Sequence, residues 1–338
     1  MTNRPPAIYL AFYYIAIASA LASLVFVFNN FLLYSFEWPG AYSALAALGI
    51  IDGDDFGPAG FTGFLQLAAF IAAFALPAYA VWRQSPDSFD SALEKNEARL
   101  RSAAAYIISL AFWSVMFVGI VDATISFMRI EGFLAALAGD DLASNIGRSV
   151  WRGSYIHIPL IVVGALIALK YRGINFIWLA TLIVVAELLI VIARFIFSYE
   201  QAFMGDLVRF WYAALFLFAS AQTLIEEGHV RVDVVYAGLP ERVKAWVNVA
   251  GAAILGLPLC WTILMRGLWE KTSVINSPLL NFETSQSGFG MYVKYLMAGF
   301  LIVFAFSMLV QFSSFMLTNL RKLVSPEQQA EANAPVEA

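Results

Sequence analysis

Residues 174–198 read Ile174-Asn-Phe-Ile-Trp-Leu-Ala-Thr-Leu-Ile-Val-Val-Ala-Glu187-Leu-Leu-Ile-Val-Ile-Ala-Arg194-Phe-Ile-Phe-Ser198. Only Glu187 and Arg194 bring charge into the apolar run, and no glycine or proline breaks it. A helix needs about 20 mostly apolar residues to cross the hydrocarbon core of a bilayer, so this stretch reads as a membrane span. Directly before it, Lys170-Tyr171-Arg172-Gly173 closes another apolar run. So short a basic turn makes the two spans an antiparallel pair. Reading outward gives eight such runs, at roughly 8–35, 60–82, 103–128, 153–170, 174–198, 207–226, 244–268 and 292–319. The expected fold is all-α, a polytopic membrane helix bundle of about eight transmembrane helices.

Composition agrees. Of 338 residues, 61% are hydrophobic, 15% aromatic and only 13% charged. A soluble domain carries about a quarter charged residues to cover its outside. The mean hydropathy of +0.75 points the same way. A water-soluble fold, a nucleic-acid partner and a disordered chain are poor readings; membrane lipid is the expected surroundings. The net charge of −4 is too small to indicate a partner. The lone cysteine, Cys260, excludes a disulfide framework within the chain, and two histidines leave little room for haem or zinc. There is no Walker A loop, no HExxH and no GxSxG, so neither an enzyme nor a cofactor is expected.

Basic residues set the expected orientation. With eight spans both termini share one side, and that side holds Arg4, Arg83, Lys95, Arg99, Arg101, Lys170, Arg172, Arg231, Arg242, Lys244, Arg321 and Lys322, which is 12 of the 20. The first loop opposite has none and carries Asp52, Asp54 and Asp55. Both termini are therefore expected in the cytoplasm. The first run is too long for a signal peptide and reads as a retained span. In the connections, Ser91-Ala-Leu-Glu94 has capping-box spacing within a polar stretch from Ser85 to Ser102. A surface helix is expected to start there and run into the third span. Between Arg129 and Arg152, scattered leucines and isoleucines around Gly139-Asp-Asp141 suit one or two short interfacial helices.

Asp122 and Glu187 fall inside the third and fifth spans. A carboxylate at mid-bilayer costs about 2.5–3.5 kcal/mol on insertion scales, so each should face protein or water. Each has an arginine seven residues on, Arg129 and Arg194 respectively, on the same helix face. The rise between them, about 10.5 Å, is too long for easy direct pairing. One reading is a coupling-ion or proton site, which would suit a self-sufficient ion-coupled transporter; the other is polar glue between helices. His157 reads as a satisfied interfacial residue near the start of the fourth span.

Residues 223–240 read Thr223-Leu-Ile-Glu-Glu-Gly-His-Val-Arg-Val-Asp-Val-Val-Tyr-Ala-Gly-Leu-Pro240. By composition this is an amphipathic segment along the membrane surface. As a string, Glu227-Gly228-His229-Val-Arg231-Val-Asp233-Val-Val-Tyr followed by Leu-Pro resembles the signature of the small membrane subunit (DctQ-like) of tripartite ATP-independent periplasmic (TRAP) transporters. Arg194-Phe-Ile-Phe197 resembles the arginine-and-aromatics end of that family's first helix. Asp206-Leu-Val-Arg209-Phe-Trp211 resembles the opening of its second, with aspartate where glutamate is usual. The resemblance covers residues 174–322, a four-span core. Residues 1–173 form a four-span extension that a typical member lacks, and 323–338 a disordered tail.

The resemblance implies a scaffold rather than a pore. In that family a periplasmic solute-binding protein delivers an organic acid to a sodium-driven permease in the bacterial inner membrane. The large subunit (DctM-like) moves as an elevator, and the small one braces it. Arg194, Asp206, Arg209, Glu227, Gly228, His229, Arg231 and Asp233 carry over as structural or interface residues. The extension would widen the scaffold or bind a further partner.

Overall fold

The computed structural model describes residues 4–52, 57–172, 177–225, 236–285 and 290–324. Among them there is no β-strand. Twelve helices are described: α1 (Ala7–Ser35), α2 (Gly40–Ala47), α3 (Gly60–Trp82), α4 (Pro86–Ile130), α5 (Phe133–Ala138), α6 (Asp140–Ile146), α7 (Ser149–Lys170), α8 (Ile177–Phe197), α9 (Ala202–Ile225), α10 (Glu241–Leu268), α11 (Asn276–Leu280) and α12 (Lys294–Val324). Eight of these, all but α2, α5, α6 and α11, are long and apolar enough to cross a membrane. The all-α, eight-span reading of the sequence matches this architecture. Residues 325–338, the bulk of the expected tail, lie outside the described residues.

The expected surface helix and third span are one element, the 45-residue α4. At 1.5 Å per residue it is about 67 Å long, more than twice the hydrocarbon thickness of about 30 Å. Its start differs from the capping-box reading. The helix begins five residues before Ser91, at Pro86, a first-turn position where proline's missing N–H costs nothing. Ser91 instead bonds back to the Ser88 carbonyl at 2.9 Å.

Helices α7 and α10 each contain one π-type stretch, Gly153–His157 and Ala252–Gly256. Each stretch ends two residues before a proline, Pro159 and Pro258. A proline inside an α-helix removes one hydrogen bond and collides with the carbonyl four residues back. Those carbonyls belong to Tyr155 and Ile254, inside the widened turns. The wider i→i+5 turn accommodates the proline without breaking the span.

The chain divides into two compact units. One comprises residues 1–103, 224–265 and 308–338. In it, Gln66 of α3 accepts the Gly40 N–H at 2.9 Å and donates to Asn29 of α1 at 3.0 Å. The Tyr13 ring meets Phe89, and its hydroxyl accepts from Asn96 at 2.7 Å. Trp246 of α10 packs against Tyr9 and Phe12 of α1, and Trp261 against Phe26. Arg321 of α12 reaches Asp90 at 3.3 Å and Glu94 at 2.9 Å on α4.

The other unit comprises residues 104–223 and 266–307. Its core is aromatic and aliphatic, with Phe112, Val115 and Val118 of α4 against Phe210, Trp211 and Phe218 of α9, and Phe300 of α12. Lipid tails are as apolar as leucine, so close packing and hydrogen bonds, not water exclusion, hold such helices together. Glycines permit the approach. A Cβ at Gly119 would lie 2.4 Å from the Trp211 indole nitrogen, and one at Gly164 would lie 2.9 Å from the Ser114 backbone nitrogen. Each unit thus draws on residues both before and after 173.

Candidate functional site

A fully buried polar cluster centres on Asp122. It sits on α4, eight residues before the helix ends, and its side chain is fully buried. Oδ1 accepts from Arg152 Nη1 at 2.9 Å and from His157 Nε2 at 3.0 Å. Oδ2 accepts the backbone N–H of Tyr292 at 2.9 Å. Arg152 and His157 are also fully buried. The other ring nitrogen of His157, Nδ1, lies 2.8 Å from the Tyr295 hydroxyl.

The π-type turn explains how both α7 residues reach one oxygen. Arg152 and His157 are five apart, which in a regular α-helix puts them about 140° apart around the axis. The i→i+5 turn over Gly153–His157 swings them toward one face. Gly153 leaves room, since a Cβ there would lie 2.3 Å from the Phe282 ring.

Arg152 makes further bonds to the Ile146 carbonyl at 3.0 Å and to Ser126 Oγ at 3.3 Å. Its guanidinium lies 4.2 Å from the Tyr292 ring centre, a cation–π contact. Its Nη2 has no hydrogen-bond partner among the described residues. Arg129, the sequence neighbour of Asp122, turns elsewhere: to the Tyr292 hydroxyl and, at 3.1 Å, to the Gly290 carbonyl.

Asp206 of α9 performs a parallel job. Its Oδ2 accepts the backbone N–H of Met291 at 3.0 Å and faces Ser285 Oγ at 3.4 Å. Arg209, one turn on, lies 3.5 Å from Oδ1 and is largely exposed. The consecutive N–H groups of Met291 and Tyr292, just ahead of α12, are therefore each held by a carboxylate from a different helix.

The other residues marked in the sequence are dispersed. Arg194 lies 3.4 Å from Glu200, both exposed, and does not pair with Glu187. Glu187 is exposed on α8 and has no hydrogen bond or ion pair among the described residues. Glu227, Gly228, His229, Arg231 and Asp233 lie outside the described residues. Beside that segment, Tyr236 bonds Asn248 at 3.1 Å, and Asn248 donates to Asn319 at 2.9 Å. Between α8 and α9, Tyr199 donates to Glu131 at 2.7 Å, and partial burial together with that carboxylate pushes the phenol up to about 12.

Sequence reasoning missed Arg152 and Tyr292. The sequence offers Asp122 an arginine on its own helix, whereas its partners come from 30 and 35 residues further on and from a backbone N–H 170 residues away. Among the described residues no group of three or more His, Cys, Asp or Glu side chains is placed to hold a metal ion. Chemically the Asp122 cluster is a closed ion pair: three donors fill the carboxylate and a counter-ion sits on it.

No curated protein and no solved structure matches the chain. A family model does, over residues 180–322, and its description is tripartite ATP-independent periplasmic transporters, DctQ component. The match runs from α8 through α12 and takes in Arg194, Asp206, Arg209 and the whole Glu227–Asp233 string. Over that length this chain, whose eight long apolar helices suit a multi-pass membrane protein, is similar to the DctQ component of TRAP transporters, the small membrane subunit of that family.

Proposed function

We propose that the chain braces a large, elevator-type permease subunit (DctM-like) in the bacterial inner membrane, with both termini in the cytoplasm. A periplasmic solute-binding protein would deliver an organic acid to that assembly, and sodium would drive its uptake. The observation that carries this reading is the family match over residues 180–322. The accompanying organisation is a four-span extension over 1–173, the small-subunit core over 174–322 and a tail over 323–338. The carried-over residues act in it as structural and interface groups.

The physical character of the spans supports a scaffold. Large apolar side chains, among them Phe61, Trp178, Phe195 and Ile254, point outward and suit lipid or a partner. The rival reading, a self-sufficient ion-coupled transporter using Asp122 and Glu187, needs a carboxylate that an ion can reach from a pathway. Asp122 is fully buried with three donors on it, and Glu187 faces outward.

The test is reconstitution. The chain co-expressed with a large TRAP permease subunit and its binding protein should co-purify with that subunit. The pair should then take up an organic acid in proteoliposomes under an inward sodium gradient, and this chain alone should move none. Sodium-driven flux by this chain alone, abolished by Asp122→Asn or Glu187→Gln, would favour the rival.

A further inference from the structure

Glu187 stands at the centre of α8. The helix has 21 residues, Ile177–Phe197, so ten lie on either side. That places the carboxylate about 15 Å from each end, at the midplane of a hydrocarbon layer about 30 Å thick. A glutamate side chain is far too short to snorkel to either surface from there.

The residue is nevertheless exposed, with no hydrogen bond or ion pair among the described residues. The helix around it is the least buried of the eight spans, with 11% of its most apolar stretch inside. Its packed side carries Leu179, Leu182, Ile183 and Ala186 against the core. The exposed side carries a ridge, Ile177, Thr181, Val184, Leu188, Val191 and Phe195, in alternating steps of four and three. That spacing is the seam along which a second helix packs. Thr181 satisfies its own hydroxyl on the Ile177 carbonyl at 2.8 Å. Glu187 borders the ridge, one turn from both Val184 and Val191.

Apolar ridges alone would suit lipid. A midplane carboxylate does not, since intramembrane ionisable groups almost always face protein or water and mark function. We propose that the exposed face of α8 is the seat of a membrane helix from the large permease subunit. That helix presents a hydrogen-bond-donating or cationic side chain to Glu187 at the bilayer midplane. The inference rests on the small-subunit reading above, which supplies the second membrane chain. What it adds is the surface, the depth and the chemistry the partner must bring.

The experiment uses the full chain co-expressed with the large subunit in membranes. A photo-crosslinking residue is placed at Val184, at Val191 and, as a control toward the far edge of the exposed arc, at Leu189. Glu187→Leu and Glu187→Gln are purified beside the parent. Crosslinks to the large subunit are expected from Val184 and Val191 and at most weakly from Leu189. Glu187→Leu should lower recovery of the large subunit by about five- to thirtyfold, the range for a lost inter-helical hydrogen bond in a membrane. Glu187→Gln keeps an acceptor and should lose less. The isolated chain should unfold at the same temperature in all three forms, because Glu187 supports nothing within it. If the large subunit co-purifies undiminished with Glu187→Leu, or crosslinks from Val184 and Val191 reach only lipid or this same chain, the proposal is overturned while the small-subunit reading stands. If the parent recovers no large subunit at all, both fall.

Discussion

Asp122, Arg152 and His157 are where single side chains matter most. An ion pair taken fully out of water gains little against a well-packed apolar pair, but breaking it strands a charge. Asp122→Ala should therefore cost about 3–5 kcal/mol. The double variant Asp122→Leu with Arg152→Met should cost less than Asp122→Ala, because no charge is left behind. Reversible unfolding in mixed micelles reads these beside the singles Asp122→Leu and Arg152→Met; simple additivity of those two singles in the double would mean that the ions do not interact. The sequence displayed Asp122 as a misplaced charge but not its partners. Within one helix only Arg129 was in range, and seven residues of rise kept them apart. Nothing in the string Arg152-Gly-Ser-Tyr-Ile-His157 announces a π-type turn, although Pro159 just beyond supplies the steric reason for one. Glu187 and Arg194 form the same pattern at the same spacing, and in the structure the glutamate stays exposed while the arginine meets Glu200.

At the level of elements, apolar run length carried most of the information. Eight spans were legible because nothing but a helix satisfies its own backbone inside lipid. The short helices and the helix starts were less so: α2 and α11 have too few residues for a clear period, and the long α4 begins at Pro86 rather than near the better-looking capping box. How closely helices approach was not legible at all, since a glycine at a contact looks like any other. Gly164 of α7 is such a contact. Its added Cβ would meet the Ser114 backbone of α4, which cannot rotate away as a side chain would. Gly164→Ala should force the two helices apart and cost about 1–3 kcal/mol, the range for an overpacked interior. The matching measurement is the shift in midpoint on thermal unfolding in detergent. An unchanged midpoint would mean that the approach is looser than its geometry.

For the molecule as a whole, residue 173 is a natural place to divide the sequence, because a family signature begins after it and a basic turn precedes it. The packing does not stop there. Trp246 and Trp261 of α10 lie against the aromatic rings of α1, and Asp122 of α4 holds the backbone just ahead of α12. The resemblance reached the second half because its motif is a contiguous string; the long-range partners of the first half leave no such trace. The paired N–H groups of Met291 and Tyr292 carry the sharpest consequence. One is held by Asp206, inside the length that the family model matches, and the other by Asp122, outside it. Residues 1–172 should therefore behave as one half of a split protein rather than as a detachable appendage. Residues 1–172 and 173–338, expressed as separate chains in one membrane, should find each other and co-purify. The second fragment alone should be degraded faster than the reassembled pair. Equal lifetimes would mean that the second half folds unaided.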